Sequence, residues 1–154
     1  MPKAYILVGV PGAGKSTWVQ TQTLTKNYKY ISTDRIVERY AAHVKKTYTE
    51  VFGLFMPRAV EEMSKQVVRA REKGQDIIWD QTSTTVASRS RKFRMLPEYE
   101  MIAVVFPTPD PAELERRLAS RPGKEIPKEV VDNMIKNWED PSEQEGFDKV
   151  IVIR

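Results

Sequence analysis

Eight consecutive residues near the start of the chain constrain its fold more than any other feature. They read Gly9-Val10-Pro11-Gly12-Ala13-Gly14-Lys15-Ser16 and match the phosphate-binding loop pattern G-x-x-x-x-G-K-[S/T] without a gap. An apolar, β-rich run precedes them at 4–8, and no helix breaker follows within 16–20. A glycine turn between a strand and a helix would explain the glycines, but not the lysine and the hydroxyl that follow at once. The octet therefore predicts a strand–loop–helix unit whose backbone N–H groups and helix N-terminus face phosphate oxygens.

The overall composition fits one soluble domain, which we expect to span residues 1–154. Of the 154 residues, 40% are hydrophobic and 30% charged, and cysteine is absent, which excludes disulfides and thiol catalysis. A single histidine, His43, argues against a histidine-based metal site. No apolar run reaches the length of a membrane span, and the first strand begins almost at Met1, so we expect a cytosolic enzyme without a signal peptide or a membrane partner. The net charge of +4 favours anionic partners such as nucleotides or nucleic acid.

Five β-like runs alternate with helical stretches. The runs are 4–8, 28–31, 76–79, 101–106 and 149–153, and the predicted helices are 15–24, 34–46, 57–73, 86–95, 110–120 and 127–138. Parallel strands need crossover connections, so this alternation predicts parallel strands with helices on both faces. We expect an α/β fold, a three-layer sandwich around a five-stranded parallel sheet. Helix 57–73 is expected to begin near Pro57 and to end at Gly74.

Polar residues follow three of the predicted strands, where open parallel sheets bind their ligands. The phosphate-binding loop follows the first strand, and Ser32, Thr33, Asp34 and Arg35 follow the second. Asp34 is a candidate general base, because a carboxylate can orient an attacking hydroxyl and accept its proton. Alternatively, Asp34, Ser32 or Thr33 caps the next helix.

The third strand ends in a carboxylate, Asp80. With the hydroxyl of Ser16, this carboxylate is a candidate ligand pair for Mg²⁺, which prefers oxygen ligands. The alternative is an aspartate that forms a turn at the strand end. Gln81 and Thr82 come next, and these residues either hydrogen-bond an acceptor substrate or satisfy the backbone of the loop.

Two arginines near the end of the fifth predicted helix, Arg117 and Arg121, lie four residues apart and so share one helix face. Their positive charge suits a multiply anionic phosphoryl-transfer state, and the Pro122-Gly123 pair breaks the helix after them. We therefore predict a lid over ATP at approximately 117–127. A solvated basic helix end is the alternative.

A further basic cluster follows the Asp80 loop. It consists of Arg89, Arg91, Lys92 and Arg94, with Phe93 interleaved. A solvated surface is the first interpretation, with contact to a nucleic-acid backbone as the alternative. Phe93 at helical spacing is expected in the core, and His43 and Trp18 are expected to be structural.

Taken together, these motifs resemble the kinase domain of phage-type 5′-polynucleotide kinases. The similarity covers nearly the whole chain in order: residues 12–18, Asp34, residues 77–80 with Thr82, and the stretch Glu115–Pro127 followed by Met134. It implies a P-loop kinase that transfers the γ-phosphoryl group of ATP to a 5′-hydroxyl end of DNA or RNA, in a host cytoplasm if a phage encodes it. The implied ATP-binding residues are Gly9, Pro11, Gly12, Ala13, Gly14, Lys15, Ser16, Thr17, Arg117 and Arg121.

The resemblance further implies that Lys15, Arg117 and Arg121 assist catalysis, that Ser16 and Asp80 organise Mg²⁺, and that Asp34 is the base. The acceptor is expected to lie against Asp34, Arg35, Gln81 and Thr82. Two departures fall on this acceptor side. Val37 occupies the position of an arginine that contacts the acceptor's 3′ phosphate in the family, and Gln81 is an extra residue between Asp80 and Thr82.

Two other functions stay open at this point. One is a kinase for a different hydroxyl, such as a hydroxymethylated base in DNA, a nucleoside or a small metabolite. The other is a nucleotide-dependent switch, which would need no acceptor base at the position of Asp34.

Overall fold

The computed structural model describes residues 1–22 and 27–154, and all five predicted strands are present. They are β1 (Lys3–Val8), β2 (Tyr28–Ser32), β3 (Asp76–Asp80), β4 (Glu100–Val105) and β5 (Lys149–Val152). They form one parallel sheet in the order β2-β3-β1-β4-β5. The predicted α/β fold with a five-stranded parallel sheet between helices is therefore confirmed.

The helices follow the predicted pattern with one substantial difference. They are α1 (Lys15–Gln22), α2 (Thr33–His43), α3 (Tyr48–Glu72), α4 (Val86–Met95), α5 (Pro111–Ala119) and α6 (Lys128–Lys136). The first was predicted to extend to residue 24, and residues 23 and 24 lie outside the described residues. None of the helices in the described ranges has the length and apolarity needed to cross a membrane.

The predicted start of α3 at Pro57 is wrong, because the helix begins two and a half turns earlier at Tyr48. Thr47 and Glu50 form a capping box at this N-terminus, with the Thr47 side chain accepting from the Glu50 N–H at 3.2 Å. Pro57 lies inside the helix. A proline inside a helix crowds the carbonyl of residue i−4, which is Gly53 here, and glycine is the residue that adjusts its backbone most easily.

Alternate residues of the central strand face the two helical layers. Ala4 and Ile6 of β1 belong to a core cluster that includes Trp79 and Val67, whereas Leu7 packs on the opposite face. All three β1 side chains are completely buried. This period-two division of a fully buried strand is typical of a parallel sheet covered on both sides.

The strand order brings the polar residues of the sequence to one edge of the sheet. The chain leaves β1 toward β2 on one side and later crosses to β4 on the other, so the carboxyl end of β1 is the point at which the strand order reverses. Ser32 at the end of β2 is in register with Asp80 at the end of β3. The ends of β1, β2 and β3 therefore form a single rim.

Candidate active site

The phosphate-binding loop adopts a conformation that depends on its glycines. Gly12 and Gly14 have φ values of 85° and 101°, in the left-handed region that other residues rarely adopt. A Cβ on Gly12 would lie 3.1 Å from Leu114 Cδ1, and one on Gly9 would lie 3.0 Å from Phe106 Cβ. The loop is thus closely packed against α5 and against Phe106, the residue that follows β4. Gly9 N also donates to the Thr82 carbonyl at 3.0 Å.

Lys15 points back over the loop that precedes it. Its Nζ donates to the Gly9 carbonyl oxygen at 2.8 Å. Burial lowers the pKa of Lys15, the charges of Asp80 and Asp34 raise it, and those of Arg121 and Lys124 lower it further. The site therefore places the Lys15 amine among two carboxylates and two other cations, where a polyphosphate would add compensating negative charge.

Asp80 is the more enclosed of the two carboxylates at this rim. Burial raises its pKa, against the opposing effects of the Lys15 charge and of the hydrogen bond that the Tyr30 hydroxyl donates to Asp80 Oδ2. Burial and the proximity of Asp80 also raise the pKa of Tyr30. Tyr30 consequently stays a hydrogen-bond donor that orients the Asp80 carboxylate.

The donor set of Asp80 and Ser16 fits Mg²⁺ that arrives with a nucleotide. A carboxylate and a hydroxyl are oxygen ligands of the kind that Mg²⁺ takes, with phosphate and water oxygens completing the shell. Among residues 1–22 and 27–154, no group of three or more His, Cys, Asp or Glu side chains is arranged to hold a metal ion. Asp80 and Ser16 would supply two of the oxygen ligands of a cation whose other ligands come from phosphate and water.

Asp34 lies at the first turn of α2, with its side chain 52% exposed. The helix cap is provided by Ser32, whose Oγ accepts from the Arg35 N–H at 3.2 Å, so the side chain of Asp34 is not needed for capping. Its two oxygens accept from different groups: Oδ1 from the Tyr48 hydroxyl at 2.7 Å, and Oδ2 from Lys124 Nζ at 3.2 Å. The Asp34 carboxylate is thus oriented at a solvent-accessible position on the rim.

The predicted lid arginines occupy the side of the site next to the phosphate-binding loop. Arg117 donates to the Gly12 carbonyl oxygen at 2.9 Å and to Glu113 Oε1 at 2.8 Å. Arg121 lies two residues beyond the end of α5 at Ala119, so the prediction that the two arginines share one helix face is wrong. Its charge nevertheless acts on Lys15. Arg116 is 73% exposed and pairs with Glu113, so only one of the two adjacent arginines contacts the loop.

Residues 117–127, the predicted lid, contact α2 and α3 at their far end. The Gly123 carbonyl accepts from Thr49 N at 3.2 Å, and Glu125 N donates to Thr49 Oγ1 at 2.8 Å. Lys124 is only 12% exposed and also pairs with Glu38 at 3.1 Å. The same segment therefore contacts the phosphate-binding loop at one end and Asp34 at the other.

No individual role is predicted from the sequence for Tyr48, Glu38 or Lys124, although all three lie around Asp34. Tyr48 could have been found from the Thr47-x-x-Glu50 capping signal, because that signal puts it at a helix start. Glu38 lies four residues after Asp34 and so shares its helix face. Lys124 is 90 residues away from Asp34 in sequence, and no local pattern connects the two.

The predicted acceptor residues are distributed around the same rim. Gln81 bridges two elements, since its Oε1 accepts from Trp79 Nε1 at 3.1 Å and its Nε2 donates to Thr33 Oγ1 at 3.4 Å. The Thr82 carbonyl binds Gly9 N, and Arg35 lies over the Tyr30 ring at 5.0 Å from its centroid.

Val37 faces the interior and is completely buried, in a core cluster that also contains Ala41 and Val51. An arginine at this position of α2 would have no exposed face, so an acceptor phosphate contact would need a side chain from elsewhere.

The prediction of a solvated basic surface on α4 is wrong for two of its four cations. Arg89 is completely buried and forms two hydrogen bonds to the Glu145 carboxylate, at 2.7 Å and 3.1 Å. Lys92 is 6% exposed and lies 5.0 Å from the centroid of the Trp79 ring. Both residues lie on the face of α4 that packs against the sheet and the 139–147 segment, while Arg91 and Arg94 are exposed.

Phe93 packs edge-on against Phe147, as expected for a core aromatic.

The sheet topology and the phosphate-binding loop together define the class of protein to which this chain belongs. A parallel sheet with a phosphate-binding loop after its central strand gives this chain the P-loop kinase fold. Residues 5–141 match the family model described as AAA domain, and the chain belongs to that family.

Known proteins with detectable similarity include curated relatives and solved structures. Over 150 residues the chain is 23% identical to the bifunctional polynucleotide phosphatase/kinase of Schizosaccharomyces pombe, covering 94% of this chain and 32% of that protein. The chain thus spans about a third of the length of this relative.

A structure from the PezAT chromosomal toxin–antitoxin system of Streptococcus pneumoniae matches with a TM-score of 0.75 and 17% identity, over 100% of this chain and 67% of that chain. A putative kinase from Chloroflexus aurantiacus matches with a TM-score of 0.73 and 15% identity, over 99% and 84% of the two chains. At these identities the two structures establish a common fold.

Proposed function

We propose that the protein is an ATP-dependent polynucleotide 5′-hydroxyl kinase that acts on DNA or RNA ends. The observation that carries this proposal is the oriented, half-exposed carboxylate of Asp34 on the same rim as the phosphate-binding loop. A nucleotide switch needs no such base, whereas transfer to a hydroxyl does. The bifunctional polynucleotide phosphatase/kinase of S. pombe supports a nucleic-acid acceptor, because its match covers most of this chain.

In this proposal the phosphate-binding loop holds the triphosphate. Backbone N–H groups and the side chains of Lys15, Ser16 and Thr17 contact the phosphates, and Lys15 leaves the Gly9 carbonyl to bind them. Ser16 and Asp80 would hold Mg²⁺, which neutralises phosphate charge when bound. Arg117 and Arg121 act from the 117–127 segment, which serves as a lid beside the loop.

The proposed reaction is a single transfer. The acceptor hydroxyl oxygen forms a bond to the γ-phosphorus while the bond from that phosphorus to the β–γ bridging oxygen breaks, and ADP leaves. Asp34 accepts the proton of the hydroxyl. Arg35, Gln81 and Thr82 are the proposed acceptor contacts, with Gln81 acting from the position in which Trp79 and Thr33 hold it.

A kinase for another hydroxyl is the second candidate, and one observation favours it. Val37 is buried, so helix α2 offers no cation one turn after Asp34 to bind a phosphate of the acceptor strand. An acceptor without such a phosphate, such as a nucleoside or a small metabolite, would not need this contact.

A panel of acceptors with γ-labelled ATP separates the two candidates. The panel contains 5′-hydroxyl DNA and RNA oligonucleotides, DNA with hydroxymethylated bases and blocked 5′ ends, and free nucleosides. Label on the 5′-hydroxyl oligonucleotides supports the proposed function. Label on blocked modified DNA or on nucleosides, with none on the 5′-hydroxyl oligonucleotides, establishes the second candidate instead.

A further inference from the structure

The carboxylate of Asp34 is held by two donors from two other parts of the fold. Tyr48, the first residue of α3, donates its hydroxyl to Oδ1 at 2.7 Å, and Lys124 of the 117–127 segment donates to Oδ2 at 3.2 Å. Because each oxygen has its own donor, rotation of the carboxylate about its Cβ–Cγ bond would break both hydrogen bonds. An ionised carboxylate offers about four lone-pair positions, so room for an acceptor hydroxyl remains.

The contacts of Lys124 differ from those of an ordinary surface ion pair. The side chain is 12% exposed, its Nζ reaches both Asp34 and Glu38, and it lies 4.5 Å from the centroid of the Tyr48 ring. The ring and the two carboxylates thus confine the ammonium group. Exposed ion pairs contribute little to stability because their long side chains are free to move. The contacts of Lys124 with the Tyr48 ring and the two carboxylates remove much of that freedom.

The backbone around Lys124 is fixed by contacts with the start of α3. Gly123 has a φ of 68°, and a Cβ there would lie 3.1 Å from Thr47 Cβ, which leaves no room for a larger residue. Glu125 N donates to Thr49 Oγ1 at 2.8 Å on the other side of Lys124. Lys124 therefore reaches Asp34 only when the 117–127 segment is docked on α3.

Tyr48 keeps its proton in this arrangement. Burial raises the pKa of Tyr48, and its hydrogen bond to Asp34 and the charge of that carboxylate raise it further. The phenol thus remains a donor to Oδ1 across the pH range in which a kinase works.

We propose that Tyr48 and Lys124 are positioning residues for Asp34, so that docking of the 117–127 segment completes the base at the same time as it brings Arg117 to the phosphate-binding loop. The inference rests on the proposed function, in which Asp34 accepts the proton of the acceptor hydroxyl. Segment closure and proton transfer are then coupled, because one end of the segment contacts Gly12 and the other contacts the base.

Double-mutant cycles test this coupling through the kinetics of phosphoryl transfer. The variants are Lys124→Met and Tyr48→Phe, each alone and combined with Asp34→Asn, and each substitution keeps most of the side-chain volume. We expect kcat to fall about 10–100-fold for Lys124→Met and about tenfold for Tyr48→Phe, with the KM for ATP within about twofold of wild type. In the Asp34→Asn background neither substitution lowers kcat further, because residues that act as a unit are not additive.

Two controls make the kinetic result specific. Lys65→Met removes an exposed lysine from a surface pair with Glu61 and should leave kcat unchanged. Lys124→Arg retains a donor and should restore part of the lost kcat. Equal losses from Lys124→Met in the wild-type and Asp34→Asn backgrounds would overturn the proposal, as would a raised KM for ATP with kcat unchanged, since either result reduces Lys124 to a structural contact of the segment.

Hydrogen exchange distinguishes failure of this inference from failure of the proposed function, because it needs no acceptor. The amide of Glu125 should exchange faster in Lys124→Met, and faster by a smaller factor in Asp34→Asn, because Lys124 keeps its pair with Glu38 there. The double variant should exchange no faster than Lys124→Met. An unchanged exchange rate in both single variants contradicts docking through Asp34, whatever the acceptor is. Faster exchange with no label on any acceptor of the panel would reject the proposed function and keep the docking contact.

Discussion

At the residue scale, burial separates the charged groups of the site into two environments. Burial favours the neutral form of both Lys15 and Asp80, because it lowers the pKa of the lysine and raises the pKa of the aspartate. Asp34 lies at the solvent-accessible side, with its oxygens oriented by Tyr48 and Lys124. This difference suits an enclosed pair that binds phosphate and cation beside an accessible carboxylate that meets an acceptor.

Gly12→Ala should impair nucleotide binding more than Gly14→Ala. Both positions have positive φ, but a Cβ on Gly12 would also press on Leu114 and Leu118 at 3.1 Å and 3.3 Å, whereas one on Gly14 meets nothing within 4 Å. Backbone strain alone costs about 1 kcal/mol, and displacement of α5 adds to it at Gly12. Titration calorimetry with ATP measures the two affinities, and equal losses would contradict the packing argument.

Arg89→Ala should destabilise the fold strongly. Arg89 is completely buried, and its removal takes the guanidinium donor from Glu145 Oε1 and from the Ser83 and Glu139 carbonyls. Loss of one member of a buried pair costs about 3–5 kcal/mol. Urea denaturation measures the free energy of unfolding. The matched control is Arg94→Ala, at an exposed position of the same helix, which should change the free energy of unfolding by less than about 0.5 kcal/mol. Similar losses of stability in the two variants would show that Arg89 contributes no more to the fold than its exposed neighbour.

The phosphate-binding loop could be predicted residue by residue from the sequence, and Arg89 could not. The loop is a contiguous octet whose glycines, lysine and hydroxyl each have a chemical reason to be there. Arg89 depends on Glu145, 56 residues further along the chain, so nothing nearby in sequence distinguishes it from the exposed Arg91.

At the scale of elements, α5 and the segment after it connect the phosphate-binding loop with α2 and α3. Leu114 and Leu118 lie against Gly12, Arg117 binds the Gly12 carbonyl, and Lys124 reaches Asp34. The Pro122-Gly123 break in the sequence predicted a turn at the right place. It did not predict the contact with Thr47 and Thr49, because the early start of α3 was missed.

Arg117→Ala should lower kcat/KM for ATP, while Arg116→Ala should not. Both arginines bind Glu113, but only Arg117 reaches the loop carbonyl of Gly12. A hydrogen bond to a charged group contributes about 1.5–3 kcal/mol, so we expect a loss of about 10–100-fold for Arg117→Ala and less than about twofold for Arg116→Ala. Steady-state kinetics at varied ATP concentration decides, and equal effects of the two substitutions would argue against a specific role for Arg117.

At the scale of the whole molecule, the strand order explains why a short chain gathers so many polar groups in one place. The sheet order β2-β3-β1-β4-β5 sets the ends of β2 and β3 beside that of β1. The sequence predicts this fold because alternating strands and helices have few ways to pack. The acceptor could not be predicted in the same way, since its contacts depend on side chains such as Gln81 and Val37, whose partners are set by tertiary packing.

The stability of the molecule should depend on pH through Lys92. Burial lowers the pKa of Lys92 to about 8, and the charges of Arg91 and Arg89 add to this effect. Between pH 8 and about 10.4, the ordinary lysine pKa, the unfolded chain therefore binds more protons than the folded one. The free energy of unfolding of wild type relative to Lys92→Met should rise by about 1.4 kcal/mol per pH unit in this window.

Urea denaturation of the two proteins from pH 6 to 10.5 measures this difference. Below about pH 7 Lys92 is charged in both states and the difference should be flat, which serves as an internal control. A flat difference across the whole range would mean that Lys92 keeps its charge despite its burial against Trp79.

In the proposed function, the protein transfers the γ-phosphoryl group of ATP to a 5′-hydroxyl with Asp34 as the base. The most direct measurement compares wild type with Asp34→Asn, using γ-labelled ATP and a single-stranded 5′-hydroxyl oligonucleotide, with ATP affinity measured in parallel. We expect wild type to label the 5′ end, and Asp34→Asn to lose at least about 100-fold in transfer while it binds ATP as before. Undiminished transfer by Asp34→Asn, or no label on the oligonucleotide from wild type, would contradict the account.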